Sequence, residues 1–298
     1  MCDASARVTC DGDRLRELVK APEHEVLGAQ LPSRQKKGLP SIMRAVVVMF
    51  GGTSLASLSD FPAIAANLCE REEQLVVVVS AQAGVTDGLM EKMEALTRRP
   101  SVHALDALLC TGEQQSAALM AAALTAAGRR AEVVPPWLLF ETDGDFGNAE
   151  IGELDMAPVH ERLRNQIVPV VAGFTGRAPD GRLCTLGRGG SDYTAVVLGA
   201  ALNAHVELHK AGTDGVYDRD PNLDAAARRF DTLTHAEAFS LAADGAKVLH
   251  DKAAKLAMDR RVSIWVRGTL ALGPGTRVVP VDDQPLPVVV PSSDPPQT

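Results

Sequence analysis

The 298-residue sequence is poor in aromatic residues: 2 Trp, 2 Tyr and 7 Phe, 4% of the chain. At 46% apolar content it still has material for one large core or two smaller ones, which small aliphatic side chains must fill. No apolar run reaches ~18 residues, so no membrane-spanning helix is expected. Long basic runs are absent and the formal charge is −8, which argues against nucleic acid as a main partner. The first residues carry Asp3, Asp11 and Asp13 and no apolar stretch, so they do not read as a secretory signal. Cysteines are few and scattered (Cys2, Cys10, Cys69, Cys110, Cys184), with no C-x-x-C pair. That pattern fits reduced thiols in a cytoplasmic protein better than a disulfide framework or a zinc site.

What the chain does have is a glycine-rich stretch at its centre, Thr185-Leu186-Gly187-Arg188-Gly189-Gly190-Ser191-Asp192. Glycines let backbone approach a ligand closely. Ser191 or Asp192 is expected to cap a helix over Tyr193 to Leu202, whose free N–H groups favour an anion. Arg188 adds a planar fork suited to carboxylate or phosphate. The competing reading is an ordinary turn before a helix, but a turn needs neither the arginine nor the aspartate.

Around it the pattern is α/β. Ala45 to Phe50 and Leu75 to Val79 read as buried strands, joined by a helix over Ser59 to Arg71. They run into Gly51-Gly52-Thr53-Ser54 and into Ser80-Ala81-Gln82-Ala83-Gly84-Val85-Thr86-Asp87. Ligands of open α/β sheets sit at such strand ends. A long helical pattern, Asp106 to Ala127, is interrupted at Thr111-Gly112-Glu113, where Glu113 is either buried or an exposed helix-start residue. Glu132 to Pro135 reads as a strand. Trp137 to Leu154 reads as irregular, with solvated acidic residues. Ile167 to Ala172 reads as a strand, and Ala178-Pro179-Asp180-Gly181 as a hairpin turn. Ala204 to Leu208 is a strand running into a structured loop, His209 to Pro221. A helix over Ala236 to Ala243 and a last strand over Ser263 to Val266 follow. Residues 1–43 read as an arm and linker, and 281–298 as a disordered Pro-rich tail.

Five stretches resemble the aspartokinase signatures, in the aspartokinase order: Phe50-Gly51-Gly52-Thr53-Ser54; Val79 to Asp87; Gly112-Glu113; Thr185 to Asp192; and Gly245-Ala246-Lys247-Val248-Leu249-His250. The resemblance covers about residues 44–280. It implies the amino acid kinase fold, a three-layer α/β/α sandwich with a mostly parallel sheet. It divides the domain into an amino-acid lobe (about 44–190) and a nucleotide lobe (191–280). The implied reaction is transfer of the γ-phosphoryl of ATP, with Mg2+, to the carboxylate of aspartate or a related amino acid. Ser80, Thr86, Glu113, Phe174, Arg188, Gly189 and Ser191 would hold the amino acid. Gly51, Gly52, Thr53, Ser54, Asp214, Tyr217 and Lys247 would serve the nucleotide, and Asp192 would orient the groups around the transferring phosphoryl. No protein-held metal site is expected beyond that. A homodimer is implied.

The departures from the family pattern lie on the nucleotide side. The family's lysine before Phe-Gly-Gly is Met49 here, its Thr-Asp after the second-lobe strand is Ala211-Gly212, and Asn222 stands where an arginine is common. Lys210-Ala211-x-x-Asp214-Gly215-Val216-Tyr217 resembles the corresponding loop of uridylate kinases, whose lysine serves the nucleotide, so Lys210 is expected to supply the missing charge. The alternative is a catalytically impaired homologue that binds an amino acid as a sensor or partner subunit. No ACT-domain pattern fits residues 281–298, so inhibition by lysine or threonine is not expected.

Overall fold

The computed structural model describes residues 45–281, apart from 220, 222, 225, 244–248 and 271–272. The expected arm 1–43, Asn222, Lys247 and most of the expected tail lie outside the described residues.

Apolar runs form β1 (Ala45–Phe50) and β2 (Gln74–Val79), which pair in parallel with Met49 opposite Val78. Their side chains alternate between the sheet's two faces. Val46, Val48 and Phe50 join Leu75, Val77 and Val79 in one core, while Val47 and Met49 join Val76 and Val78 in the other. A strand buried on both faces has no polar side to show, which is why both read as unbroken apolar runs. Between them lies α1 (Asp60–Cys69), shorter at both ends than its expected span. Helix α2 (Val85–Leu96) follows β2 and was not expected, because Ser80 to Asp87 read as loop. Gly84 is instead its N-cap, with φ of 77°.

Helix α3 (Val102–Ala126) runs unbroken through Thr111-Gly112-Glu113, correcting the expected interruption. Gly112 serves packing here. A Cβ on it would lie 2.9 Å from the Ala81 Cβ and 3.3 Å from Val85 Cγ1, so glycine lets α3 press onto the loop after β2.

Strand β3 (Ala131–Val134) is followed by β4 (Phe140–Thr142) and β5 (Ile151–Leu154), in the stretch expected to be irregular. These strands are too short for alternation to show. Asp143, Asp145, Glu150 and Glu153 are exposed, as expected. Next come α4 (Ala157–Arg164), β6 (Val168–Ala172), β7 (Thr175–Arg177) and β8 (Leu183–Thr185). The expected hairpin turn joins β7 to β8, closed by the Ala178 amide donating to Arg182.

Helix α5 (Gly190–Leu202) and β9 (Val206–His209) precede β10 (Thr232–Thr234), α6 (His235–Ala243) and α7 (Asp251–Arg260). β11 (Ile264–Arg267) is not the last strand. β12 (Thr276–Val279) follows and pairs with it antiparallel. Neither α7 nor β12 was expected.

The main sheet has eight strands in the order β10-β12-β11-β9-β1-β2-β6-β3, all pairings but β11 with β12 being parallel. Helices α1 and α3 cover one face; α4, α5, α6 and α7 cover the other. This is the three-layer sandwich. A second sheet, β5-β4-β7-β8, flanks it. The carboxyl ends of β1, β2, β6 and β9 release Gly51, Ser80, Gly173 and Lys210 at one edge.

Candidate active site

Those strand ends meet the central glycine stretch around a cavity of about 280 Å3. Its lining joins Ser80, Thr86, Glu113, Phe174, Arg188, Gly189, Ser191, Asp192 and Lys210, expected as site residues from distant parts of the chain, with Met49, Gly51 and Thr53. A cavity of about 570 Å3 shares Thr53 with it and is lined by Ser54, Ala211, Gly212, Asp214, Tyr217, Gly268 and Thr269 among others. Lys210 and Ala211 fall on either side of the divide. Gly52 lines neither cavity; it packs against the Ala81 carbonyl, 2.6 Å from where its Cβ would be.

Gly189, in the left-handed region at φ 71°, is the N-cap of α5, and no side chain caps the helix. The expected capping by Ser191 or Asp192 is therefore corrected. Both sit inside the first turn and bond across the site. Ser191 Oγ lies 2.8 Å from Ser80 Oγ, and Asp192 Oδ2 lies 3.1 Å from Lys210 Nζ. Gly189 cannot carry a side chain, because its Cβ would collide with the His250 ring. Phe174 also has a left-handed backbone, φ 64°, which for an aromatic residue costs about 1–3 kcal/mol. Its carbonyl accepts from the Leu186 amide at 2.8 Å, and its amide donates to Thr194 Oγ1 at 3.3 Å, which hold it there.

Glu113 is buried, 4% exposed. Its Oε1 accepts from the Ala81 amide at 3.1 Å, while Oε2 is buried with no protein partner. Burial pushes its carboxyl up to about 7, against the hydrogen bond from the Ala81 amide. Glu113 lines the cavity, and a buried carboxylate there is suited to a cationic ligand group. Arg188 is exposed at the same cavity.

On the larger cavity, Asp214 accepts from the Tyr217 hydroxyl at 2.5 Å and from Arg229 at 3.2 Å. Ser54 donates to the His209 carbonyl at 3.0 Å and accepts from Thr269 at 2.7 Å, so its hydroxyl ties the cavity floor together.

Several residues that shape the loop were not visible in sequence. Asp106, buried in α3, accepts from the Thr185 amide at 2.8 Å and the Gly147 amide at 2.9 Å. Lys252 donates to the Asn148 carbonyl at 2.8 Å and to Leu186 at 3.3 Å. Asp106 looks in sequence like an ordinary charge on a helical pattern, Lys252 falls in a stretch where no helix was expected, and no local signal marks either.

The sequence model of the amino acid kinase family matches residues 44–268, and the chain belongs to that family. Within it the chain is similar to aspartokinases. That of Thermus thermophilus is 39% identical over 240 residues, covering 79% of this chain and 59% of its own length. The crystal structure of aspartate kinase from Synechocystis matches with a TM-score of 0.72 at 35% identity, over 81% of this chain and 41% of that one. E. coli aspartokinase III, in complex with aspartate and ADP, gives 0.71 at 29% identity, over 79% of this chain and 64% of that one. The chain thus spans about 59% of the length of the first curated relatives it matches.

Proposed function

We propose that this chain transfers the γ-phosphoryl of ATP to the side-chain carboxylate of aspartate or a closely related amino acid. The observation that carries the reading is a pair of cavities that share Thr53, sized for an amino acid and a nucleotide, with the Lys210–Asp192 pair lining the smaller one and Ala211, next to Lys210, lining the larger. The similar E. coli enzyme, solved with aspartate and ADP, supports it.

In this reading Glu113 Oε2 takes the α-ammonium and Arg188 clamps a carboxylate. Ser80, Thr86, Phe174, Gly189 and Ser191 shape the pocket. A side-chain carboxylate oxygen attacks the γ-phosphorus, the bond to the ADP oxygen breaks, and an acyl phosphate and ADP result. Catalysis is then positioning and charge neutralisation, which Lys210 supplies beside Asp192. Gly51, Thr53, Ser54, Asp214 and Tyr217 border the nucleotide, and Lys247 is assigned with them. Among the described residues no group of three or more His, Cys, Asp or Glu converges on one point. Mg2+ is usually held by phosphates and one or two carboxylates. Asp192 is the carboxylate at hand, and the ion would offset phosphate charge. About 44–190 would form the amino-acid lobe and 191–280 the nucleotide lobe.

Calorimetry with aspartate and with MgADP tests the reading; each should bind, and absence of aspartate binding would sink it. Met49, buried and uncharged at the cavity wall, favours the impaired-homologue reading, and turnover decides between them.

Glu113 also makes binding pH-dependent. Its ionised form pairs with an ammonium, so aspartate affinity should rise with pH up to about 7 and level off above it. Below that value it should fall roughly tenfold per unit. A folded-state pKa above the unfolded value means the ligand-free protein loses stability as pH rises from the unfolded pKa through about 7. Glu113→Gln should therefore melt higher than wild type at pH 8 without ligand, yet bind aspartate weakly at every pH. A flat wild-type affinity profile from pH 5.5 to 8.5 would refute this role.

A cytoplasmic setting accords with Cys69, Cys110 and Cys184 being free thiols. The assembly we propose is a homodimer, the commonest closed assembly. Light scattering at micromolar concentration should give the dimer mass, and a monomer mass would count against it.

A further inference from the structure

His209 closes β9, and the two loops of the larger cavity hang on it. Its backbone carbonyl accepts from the Gly51 amide at 3.1 Å and from Ser54 Oγ at 3.0 Å, which fixes the loop after β1. Its ring reaches the loop after β11, with Nδ1 3.3 Å from the Gly268 carbonyl oxygen. On the other side Nε2 lies 3.2 Å from Glu207 Oε2. The ring is buried, 7% exposed, and packs against Phe50 with centroids 4.9 Å apart.

Both ring nitrogens therefore face oxygens that only accept. A carbonyl has no proton to give. Glu207, 2% exposed within β9, is gripped by Arg71 through two bonds of 2.9 and 3.0 Å. Burial works against its charge, but hydrogen bonds from His205, His209 and Arg71 outweigh burial and hold the carboxyl well below the usual range. A neutral imidazole has one N–H and one lone pair. In this setting the lone pair would face an acceptor, and only a ring with both protons donates along both contacts. The other titratable groups nearby are Glu73, bound to Arg71 at 3.3 Å; His205, 3.4 Å from Glu207 Oε1; and Arg267, opposite His209 on β11. Arg267 turns its guanidinium over the Trp265 ring, 4.2 Å from its centroid.

We propose that His209 is a buried imidazolium, anchored by Glu207, that acts as a positioning residue for the nucleotide cavity by holding the Gly51–Ser54 and Gly268–Thr269 loops at a fixed separation. The inference rests on the assignment of that cavity to a nucleotide. Its imidazolium half stands apart from it.

The experiment has two arms. Long-range 15N–1H spectra of the wild-type protein at pH 7 should show protons on both ring nitrogens of His209. A neutral tautomer overturns the proposal whatever the cavity binds. In the second arm His209→Gln, which cannot donate in both directions, should raise the KM for MgATP at least tenfold. The KM for aspartate should stay within twofold and kcat within threefold. His209→Asn, also limited to one side, should do the same. A nucleotide KM within twofold of wild type, or both KM values rising together, overturns the positioning role. If wild type binds aspartate but neither MgATP nor MgADP, the cavity assignment fails on its own, and the spectra still decide the state of His209.

Discussion

Lys210→Ala is expected to lower turnover at least ~100-fold, the scale of losing one preorganised stabiliser of transition-state charge. In-line transfer spreads negative charge over the equatorial oxygens, and a cation must lie close to them. Met49 lines the cavity wall but is apolar and 2% exposed. Lys210 enters the same cavity from the neighbouring strand, where β1 and β9 pair in parallel with Met49 opposite Leu208. Its ammonium is held 3.1 Å from Asp192, at the first turn of α5. Met49→Lys should keep activity similar or raise it, since it adds a cation from the adjacent strand. Combined with Lys210→Ala, it should restore part of the loss if charge, more than position, is what the site needs. Steady-state kinetics on the three variants checks this. Full turnover in Lys210→Ala would remove the lysine from the mechanism.

Arg188→Ala should abolish measurable aspartate binding by calorimetry while leaving the melting temperature near that of wild type. The side chain is exposed at the cavity, so its removal leaves no buried hole, and surface substitutions usually shift stability within ±0.5 kcal/mol. Its contribution is a bidentate clamp on a carboxylate, a strong charge-assisted pairing that alanine cannot replace. Arg188→Lys should recover only part of the affinity, because an ammonium cannot make the planar two-point contact. Unchanged affinity in Arg188→Ala would remove the pocket assignment.

How much of this was legible in the sequence depended on how local the cause was. β1, β2 and β6 were readable because a strand buried on both faces must be apolar throughout. The glycine loops were readable because Gly51, Gly187 and Gly189 sit beside groups with ionic or hydroxyl chemistry. Glycine misled where its reason was tertiary. Gly112 looked like a break in α3, yet it is absent of side chain to let Ala81 approach, and Gly84 looked like loop when it starts α2. Ser191 and Asp192 looked like caps because capping is the commonest local use of such residues. Here Ser80, 111 residues from Ser191, and Lys210, 18 residues from Asp192, claim those side chains instead. The burial of Glu113 was an open alternative, since only the packing of α3 against the loop after β2 decides it. The ring of His209 and the carboxylate of Glu207 gave no signal, because each takes its meaning from partners on other elements.

The most direct test of the central claim is phosphoryl transfer from MgATP to aspartate by the purified chain, with the acyl phosphate trapped by hydroxylamine. The account predicts an aspartate-dependent hydroxamate that forms with ADP in equal amounts and is lost in Lys210→Ala. No hydroxamate from aspartate or any related amino acid, from a protein that binds aspartate, would contradict it and leave the chain an amino-acid-binding homologue without kinase activity.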